Sequence, residues 1–176
     1  MVALIYRCLP PEKAAIALDR IEMDDMTTEW GMRTFSSKDP SYHPEIYHNG
    51  VVWPPVTGWT ACAEYANNRP VQGYRYHESM VKRVLSEGGM YAEAYRGDRP
   101  EPHIACILQG WSLSMLIWVV VECLFDVKPN AIRHKVECNP SFPKEWDKAK
   151  IKNIQSWRRN PRLRFQFARK AIGSRE

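Results

Sequence analysis

A glutamate flanked by aromatic rings is the first feature of this sequence that could take part in catalysis. Glu93 lies between Tyr91 and Tyr95 in the segment GGMYAEAYRGD, and Arg96 follows directly. Because neighbouring rings exclude water from a carboxylate, they raise its pKa towards the range that a general acid or base needs. A glutamate in a loop can also be an ordinary solvated charge, so the local sequence leaves both interpretations open.

A second segment, residues 47–55 (YHNGVVWPP), combines a tyrosine, a histidine and a tryptophan with two prolines. Two adjacent prolines do not fit inside a helix, and Asn49-Gly50 favours a turn, so the segment is predicted to be a loop. Trp53 on a loop stiffened by prolines is suited to act as a stacking platform for a ring-shaped ligand. Tryptophans also fill protein cores, and that alternative remains open here.

The sequence indicates neither a metal site nor a bound cofactor. His43 and His48 have no Cys or Asp at ligand spacing, so hydrogen bonds to backbone or to a polar ligand are expected instead. There is no Gly-x-Ser-x-Gly motif and no glycine-rich phosphate loop. The five cysteines include no CxxC pair, which is typical of reduced, mostly buried thiols in a cytoplasmic protein.

Four helices are predicted to position these segments in a mainly α-helical domain. They cover residues 12–26, 57–67, 71–86 and 109–125. Pro10-Pro11 precedes the first helix and Gly88-Gly89 follows the third, as expected for helix ends. The fourth helix is apolar on nearly every side, so we expect it to be buried at the centre of a larger structure. Its apolar run of about 14 residues is shorter than a membrane span requires.

The joints between these helices alternate between short breaks and long, aromatic-rich loops. The longest loop covers residues 27–55, and such loops gathered at one end of an α/α toroid would build a pocket. After Pro129, the segments IRHKVEC, AKIKNIQ and RLRFQFA alternate as strands do. A small β element is therefore predicted to close the chain.

The net charge of +5 is concentrated near the end of the chain. Residues 151–176 contain eight Lys or Arg and one acidic residue. Such a basic segment could contact nucleic acid or another anionic partner. A solvated surface accounts for the same residues, and we regard a nucleic-acid partner as the less favoured interpretation.

Four segments occur in a fixed order: WGMRTFSSKDPSYHPEIYHNGVVWPPVTGW, GGMYAEAYRGD, CILQGWSLSMLIW and NPSFPKEW. Together they resemble the C-terminal part of the amylo-α-1,6-glucosidase domain of glycogen debranching enzymes, which are glucoamylase-like (α/α)6 barrel glycosidases. The resemblance covers about residues 10–155. It implies a partial (α/α)6 toroid, with about four of the barrel helices, over residues 1–130. A small β-rich, basic extension would follow over residues 131–176.

The resemblance also implies roles for individual residues. Glu93 falls on the general base that activates water for inverting attack at the anomeric carbon, although Ala92 stands where the family often has proline. Aromatic rings would stack on a pyranose, and neighbouring polar groups would bind its hydroxyls. The implied substrate-binding residues are Tyr47, His48, Asn49, Trp53, Tyr95, Arg96, Gln109 and Trp111.

One catalytic group of the family has no counterpart in this sequence. The family's general acid is an upstream aspartate in a tryptophan-methionine-aspartate setting, which is not found here. Because inverting hydrolysis needs two carboxyl groups, we expect the chain alone to be a poor glycosidase or none. A glucan substrate is expected, together with self-association or an upstream partner polypeptide. The alternative is a non-catalytic remnant that binds glucan or a protein partner through the same aromatic loops.

Overall fold

The structure is a computed structural model that describes residues 1–103, 106–130, 132–133, 135–155 and 162–168. It is mainly helical, as predicted. The helices are α1 (Val2–Ile5), α2 (Pro11–Ile21), α3 (Pro54–Ala66), α4 (Pro70–Ser86) and α5 (Gly110–Trp118), which continues as a π-helix over Val119–Leu124. The strands are β1 (Thr27–Thr28), β2 (Gly31–Met32), β3 (Val127–Asn130), β4 (Lys135–Cys138), β5 (Lys148–Gln155) and β6 (Arg162–Ala168). A closed or partial toroid remains a prediction.

Proline sets the start of three of these helices. Pro11, Pro54 and Pro70 occupy the first helical turn, where a backbone N–H has no partner within the helix. The prediction that both prolines of the pair 54–55 lie in the loop is therefore wrong. The loop ends at Trp53, which is the N-cap residue of α3.

The core is built around the α3–α4 hairpin, with α2 packed against it. Ala14, Leu18 and Ile21 are the buried residues of α2, at the helical spacing that the sequence predicts. Arg69 joins the three helices, since it pairs with Asp19 and Glu22 of α2 and with Glu64 of α3. Burial raises the pKa of Glu64 to about 7.

The helix predicted to be buried at the centre of the structure is half exposed, and that expectation is wrong. Met115 packs onto α3 so closely that a Cβ added at Gly58 would lie 2.8 Å from its Cβ. Ile117 is nevertheless 67% exposed, and Trp111 is 44% exposed. The described residues thus cover one face of α5 and leave an apolar face open. We call the exposed side chains of Ile117 and Trp111 the open face of α5.

The predicted β element is present as two antiparallel pairs, β3 with β4 and β5 with β6. The sequence did not indicate β3, which pairs across the proposed boundary between residues 130 and 131. Phe125, at the end of the π-helix, contacts the ring of Phe142 at 5.0 Å between centroids. This contact packs the β element onto the end of the helical part. Much of the basic tail lies outside the described residues.

The described residues also bear on a membrane span and on the burial of the cysteines. Within the described residues, no helix is long and apolar enough to cross a membrane. All five cysteines are free thiols, but the prediction that most are buried is wrong. Cys62 is buried, whereas Cys8 and Cys106 are exposed.

Candidate functional site

Backbone hydrogen bonds join the loop that carries Trp53 to the loop that carries Glu93. Val52 and Tyr95 exchange two N–H···O bonds, each 2.9 Å long. On its other side Val52 forms a bridge with Arg33, which follows β2. Val52 directly precedes Trp53, and Tyr95 lies two residues after Glu93. This pairing therefore fixes the two segments side by side.

The same two loops approach each other closely at a pair of glycines. A Cβ added at Gly97 would lie 2.1 Å from the carbonyl oxygen of Gly50 and 2.6 Å from the hydroxyl of Tyr42. No side chain fits into that space. The turn predicted at Asn49-Gly50 therefore has a second purpose, because it lets the backbones of the two loops touch.

Glu93 is half buried where these loops meet. Its backbone N–H donates to the carbonyl of Cys106 at 2.9 Å, and its Oε1 accepts a hydrogen bond from the hydroxyl of Tyr47. That hydrogen bond to a carboxylate, reinforced by partial burial, raises the pKa of Tyr47 to about 12. Tyr47 thus remains a neutral donor to the Glu93 carboxylate.

Four rings form a contiguous group beside this carboxylate, and we call Tyr47, His48, Trp53 and Trp111 the aromatic cluster. Trp53 is at its centre, with ring centroids 4.5 Å from Tyr47, 5.5 Å from His48 and 6.0 Å from Trp111. Trp111 comes from the first turn of α5. The cluster therefore joins the loop that ends at Trp53 to the first turn of α5.

The indole of Trp53 has a donor that the described residues leave unpaired. Its Nε1 is buried and has no hydrogen-bond partner among the described residues. Buried N–H groups are nearly always paired in native structures, so an orphaned donor needs an explanation. A polar ligand next to Glu93 could supply the missing acceptor.

Comparison with known families places this arrangement in context. Residues 1–118 match the profile described as amylo-alpha-1,6-glucosidase. The chain belongs to this family. The match contains Glu93 and the whole aromatic cluster, and it confirms the resemblance as far as residue 118 within α5. No curated protein matches the chain.

In this member of the amylo-alpha-1,6-glucosidase family, two of the expected substrate-binding residues lie outside the aromatic cluster. Tyr95 is completely buried, and its hydroxyl donates to Glu87 at 2.7 Å and accepts from the N–H of Ala92 at 3.1 Å. The guanidinium of Arg96 pairs with the carboxylates of Glu45 and Asp98. Both side chains have partners within the protein that hold the loop in shape.

The remaining expected residues border the cluster. Gln109 is the N-cap residue of α5, and its N–H donates to the carbonyl of Tyr91 at 2.9 Å. The amide of Asn49 is 3.4 Å from the carbonyl of Ser41, and the carbonyl of Asn49 accepts from the N–H of His43 at 2.9 Å. Asn49 therefore shapes the turn that carries Tyr47 and His48.

Sequence analysis missed two residues that are distant in sequence from the Glu93 loop but contact its backbone directly. The indole Nε1 of Trp30 donates to the carbonyl of Arg96 at 3.0 Å, and Nε of Arg33 donates to the carbonyl of Gly97 at 2.7 Å. Both residues belong to the WGMRTF segment, which was quoted for the resemblance but given no role. Nothing in the local sequence indicates a contact more than 60 residues away.

Across the part of the chain that the structure describes, no group of three or more His, Cys, Asp or Glu residues could hold a metal ion. The chemical resources of the site are one carboxylate, one phenol, one unused indole donor and a set of ring faces.

Proposed function

We propose that this chain is the base-bearing portion of an inverting α-glucosidase of the glycogen-debranching type, acting on α-1,6-glucosidic bonds. The supporting observation is that the half-buried carboxylate of Glu93 and the ring of Trp53, whose buried Nε1 has no partner among the described residues, share one neighbour. Tyr47 contacts both Glu93 and Trp53. Such a combination suits a ligand that is rich in hydroxyl groups and reacts with activated water.

In the proposed mechanism, Glu93 is the general base. Tyr47 holds Oε1 by a hydrogen bond, which orients the carboxylate. The second oxygen, Oε2, takes a proton from the water that attacks the anomeric carbon. General base catalysis of this kind contributes on the order of 10²- to 10⁴-fold to a rate.

The aromatic cluster would bind the sugar. A hydroxyl oxygen of the glucosyl unit would accept the unused hydrogen of Trp53 Nε1, which removes the cost of an unpaired buried donor. Trp111, which is 44% exposed, offers a ring face for stacking against the pyranose. His48 is exposed beside Tyr47 and would hydrogen-bond a further hydroxyl.

Inverting hydrolysis also needs a general acid, about 6.5 to 9.5 Å from the base. Within the described residues, the contacts that define this site include a single carboxylate, that of Glu93. We therefore propose that the acid comes from a partner polypeptide, or from a second copy of the chain, that docks on the open face of α5. Trp111 belongs to both the open face and the aromatic cluster, so an occupant there would also close the sugar site.

The test is release of glucose from an α-1,6-branched limit dextrin. The chain is mixed with a polypeptide that carries the remaining barrel helices and the acid of the family. Glu93→Gln should abolish glucose release while glucan binding persists, because the amide cannot accept the proton. Glu101→Gln is the matched control, since Glu101 is an exposed carboxylate in an ion pair with Arg99. Full activity of Glu93→Gln would contradict the proposal.

The single carboxylate also favours a second candidate, a non-catalytic glucan-binding module that uses the same cluster. In that case no mixture releases glucose, Glu93→Gln binds glucan normally, and Trp53→Phe weakens binding because the indole donor is lost. The two candidates therefore differ in turnover and agree on the role of Trp53.

A further inference from the structure

Two side chains at the hairpin of β1 and β2 donate hydrogen bonds to the backbone of the Glu93 loop. Trp30 donates its indole hydrogen to the carbonyl of Arg96, and Arg33 donates from Nε to the carbonyl of Gly97. These carbonyls are the third and fourth beyond Glu93. Arg33 is itself anchored, because its Nη1 donates at 2.7 Å to the carbonyl of Asp24.

These two contacts add to the backbone hydrogen bonds of the Glu93 loop, in which the N–H of Arg96 donates to the carbonyl of Glu101 and the N–H of Gly97 to that of Pro44. Isolated single-residue bridges, rather than continuous strands, join Arg33 to Val52, Val52 to Tyr95 and Tyr95 to Pro102. A single-residue bridge resists sliding less than a ladder does. Side-chain donors that bind the consecutive carbonyls of Arg96 and Gly97 therefore add to the restraint on where this loop lies.

We propose that Trp30 and Arg33 are positioning residues, which set the location of the Glu93 carboxylate relative to the aromatic cluster. This inference rests on the function proposed above. Trp30 holds one carbonyl, and the guanidinium of Arg33 spans from the Asp24 carbonyl to that of Gly97. Direct hydrogen bonds thus join the hairpin and the Trp53 loop to the Glu93 loop.

The planar fork of arginine is essential to this arrangement. Nε and Nη1 bind two different carbonyls at 2.7 Å each, a geometry that a lysine ammonium on a flexible stem does not reproduce. Arg33→Lys keeps the positive charge and removes the fork. Trp30→Phe keeps an aromatic ring and removes the donor to Arg96.

The experiment compares two ligands of nearly the same shape. 1-Deoxynojirimycin is a glucose-shaped iminosugar that is a cation when protonated, and glucose is its neutral counterpart. The ratio of their dissociation constants reports how well a carboxylate is placed beside the sugar ring. The ratio is measured by calorimetry for the wild type, Arg33→Lys, Trp30→Phe, Glu93→Gln and the control Arg75→Lys, which replaces an exposed arginine of α4.

We expect the preference for the cation to fall roughly tenfold in Arg33→Lys and in Trp30→Phe, the size of one lost hydrogen bond. Glucose affinity should stay within about twofold and Arg75→Lys should match the wild type. An unchanged preference for the cation in both variants would overturn the inference. An equal loss of affinity for both ligands, or failure of both variants to fold, would also overturn it, because either outcome indicates a merely structural role. If one variant fails to fold, the other decides.

The proposed function fails separately in the same experiment. It fails if the wild type shows no preference for the cation, or if Glu93→Gln retains that preference. If Glu93→Gln abolishes the preference and the two positioning variants keep it, the proposed function stands and the inference about Trp30 and Arg33 falls.

Discussion

Tyr47 donates a hydrogen bond to the carboxylate of Glu93 across 46 residues of sequence. The bond connects the aromatic cluster to the one carboxylate that its contacts include in the described part of the chain. The two residues come from loops with no regular secondary structure of their own, which are held together by backbone pairing at Val52 and Tyr95. The geometry of the site therefore depends on how these loops are fixed.

Tyr47→Phe should make the protein less stable by about 1.5–3 kcal/mol near neutral pH, since a half-buried hydrogen bond to a charged group is lost. The difference should shrink at alkaline pH. Because the folded-state pKa of Tyr47 is about 12 and the ordinary value is 10.0, its contribution is complete below pH 10 and is lost as the pH rises towards 12. Urea unfolding at several pH values measures this.

The control for that comparison is Tyr6→Phe, because Tyr6 is 72% exposed. Its stability should follow the wild type at every pH. A Tyr47→Phe protein as stable as the wild type near neutral pH would show that the hydrogen bond to Glu93 contributes nothing.

Gly97→Ala should destabilise the protein by about 1–3 kcal/mol, as overpacking commonly does. The new methyl group would meet the carbonyl of Gly50, which is backbone and has little freedom to move. Gly110→Ala is the matched control, because a Cβ there meets nothing within 4 Å. Thermal unfolding measures the stability of both variants. Equal stabilities of Gly97→Ala and Gly110→Ala would contradict the close approach of the two loops.

Glu64→Gln should alter how stability depends on pH. Burial raises the folded-state pKa of Glu64 from 4.5 to about 7, so the folded protein binds the proton more tightly than the unfolded chain. The wild type should therefore lose stability relative to Glu64→Gln as the pH rises from 4.5 to 7, by up to roughly 3 kcal/mol.

This effect depends on the surroundings of Glu64. Nε of Arg69 is 2.9 Å from Oε2, yet neither oxygen has a well-directed hydrogen bond within the described residues. Charge pairing therefore offsets only part of the burial cost. Glu78→Gln, in an exposed pair with Lys82, is the control and should show no such slope. Parallel curves for the wild type and Glu64→Gln would contradict the assignment.

Ile117→Glu should weaken any association through the open face of α5 by roughly ten- to a hundredfold, the free energy of burying one such side chain. Ile16→Glu provides the control, since Ile16 is 69% exposed on α2 and Ile117 is 67% exposed. Light scattering after size-exclusion chromatography measures the assembly, alone and with the partner polypeptide. A wild type that stays monomeric in both samples would contradict the proposed docking.

The parts of the site that could be predicted are those encoded in local sequence. The resemblance implied that Glu93 lies near an aromatic loop, and Pro10-Pro11 indicated the start of α2. The start of α3 was placed three residues too late, because two prolines in a first turn are as acceptable as two in a loop.

The errors concern neighbours that are distant in sequence. The apolar character of α5 indicated burial, but burial depends on what packs against Ile117 and Trp111. The inward orientation of Tyr95 and the grip of Trp30 and Arg33 depend on tertiary contacts. No local pattern carries that information.

The most direct test of the central claim is a magnetic-resonance titration of the isotope-labelled chain with isomaltose, which contains one α-1,6-glucosidic bond. The account predicts a large shift of the Trp53 indole N–H signal, because this buried donor gains its acceptor beside Glu93. A smaller shift is expected at Trp111, and the Trp53 response should be altered in Glu93→Gln. If isomaltose leaves the Trp53 signal unchanged while perturbing residues elsewhere, the sugar does not bind at Glu93 and the account is contradicted.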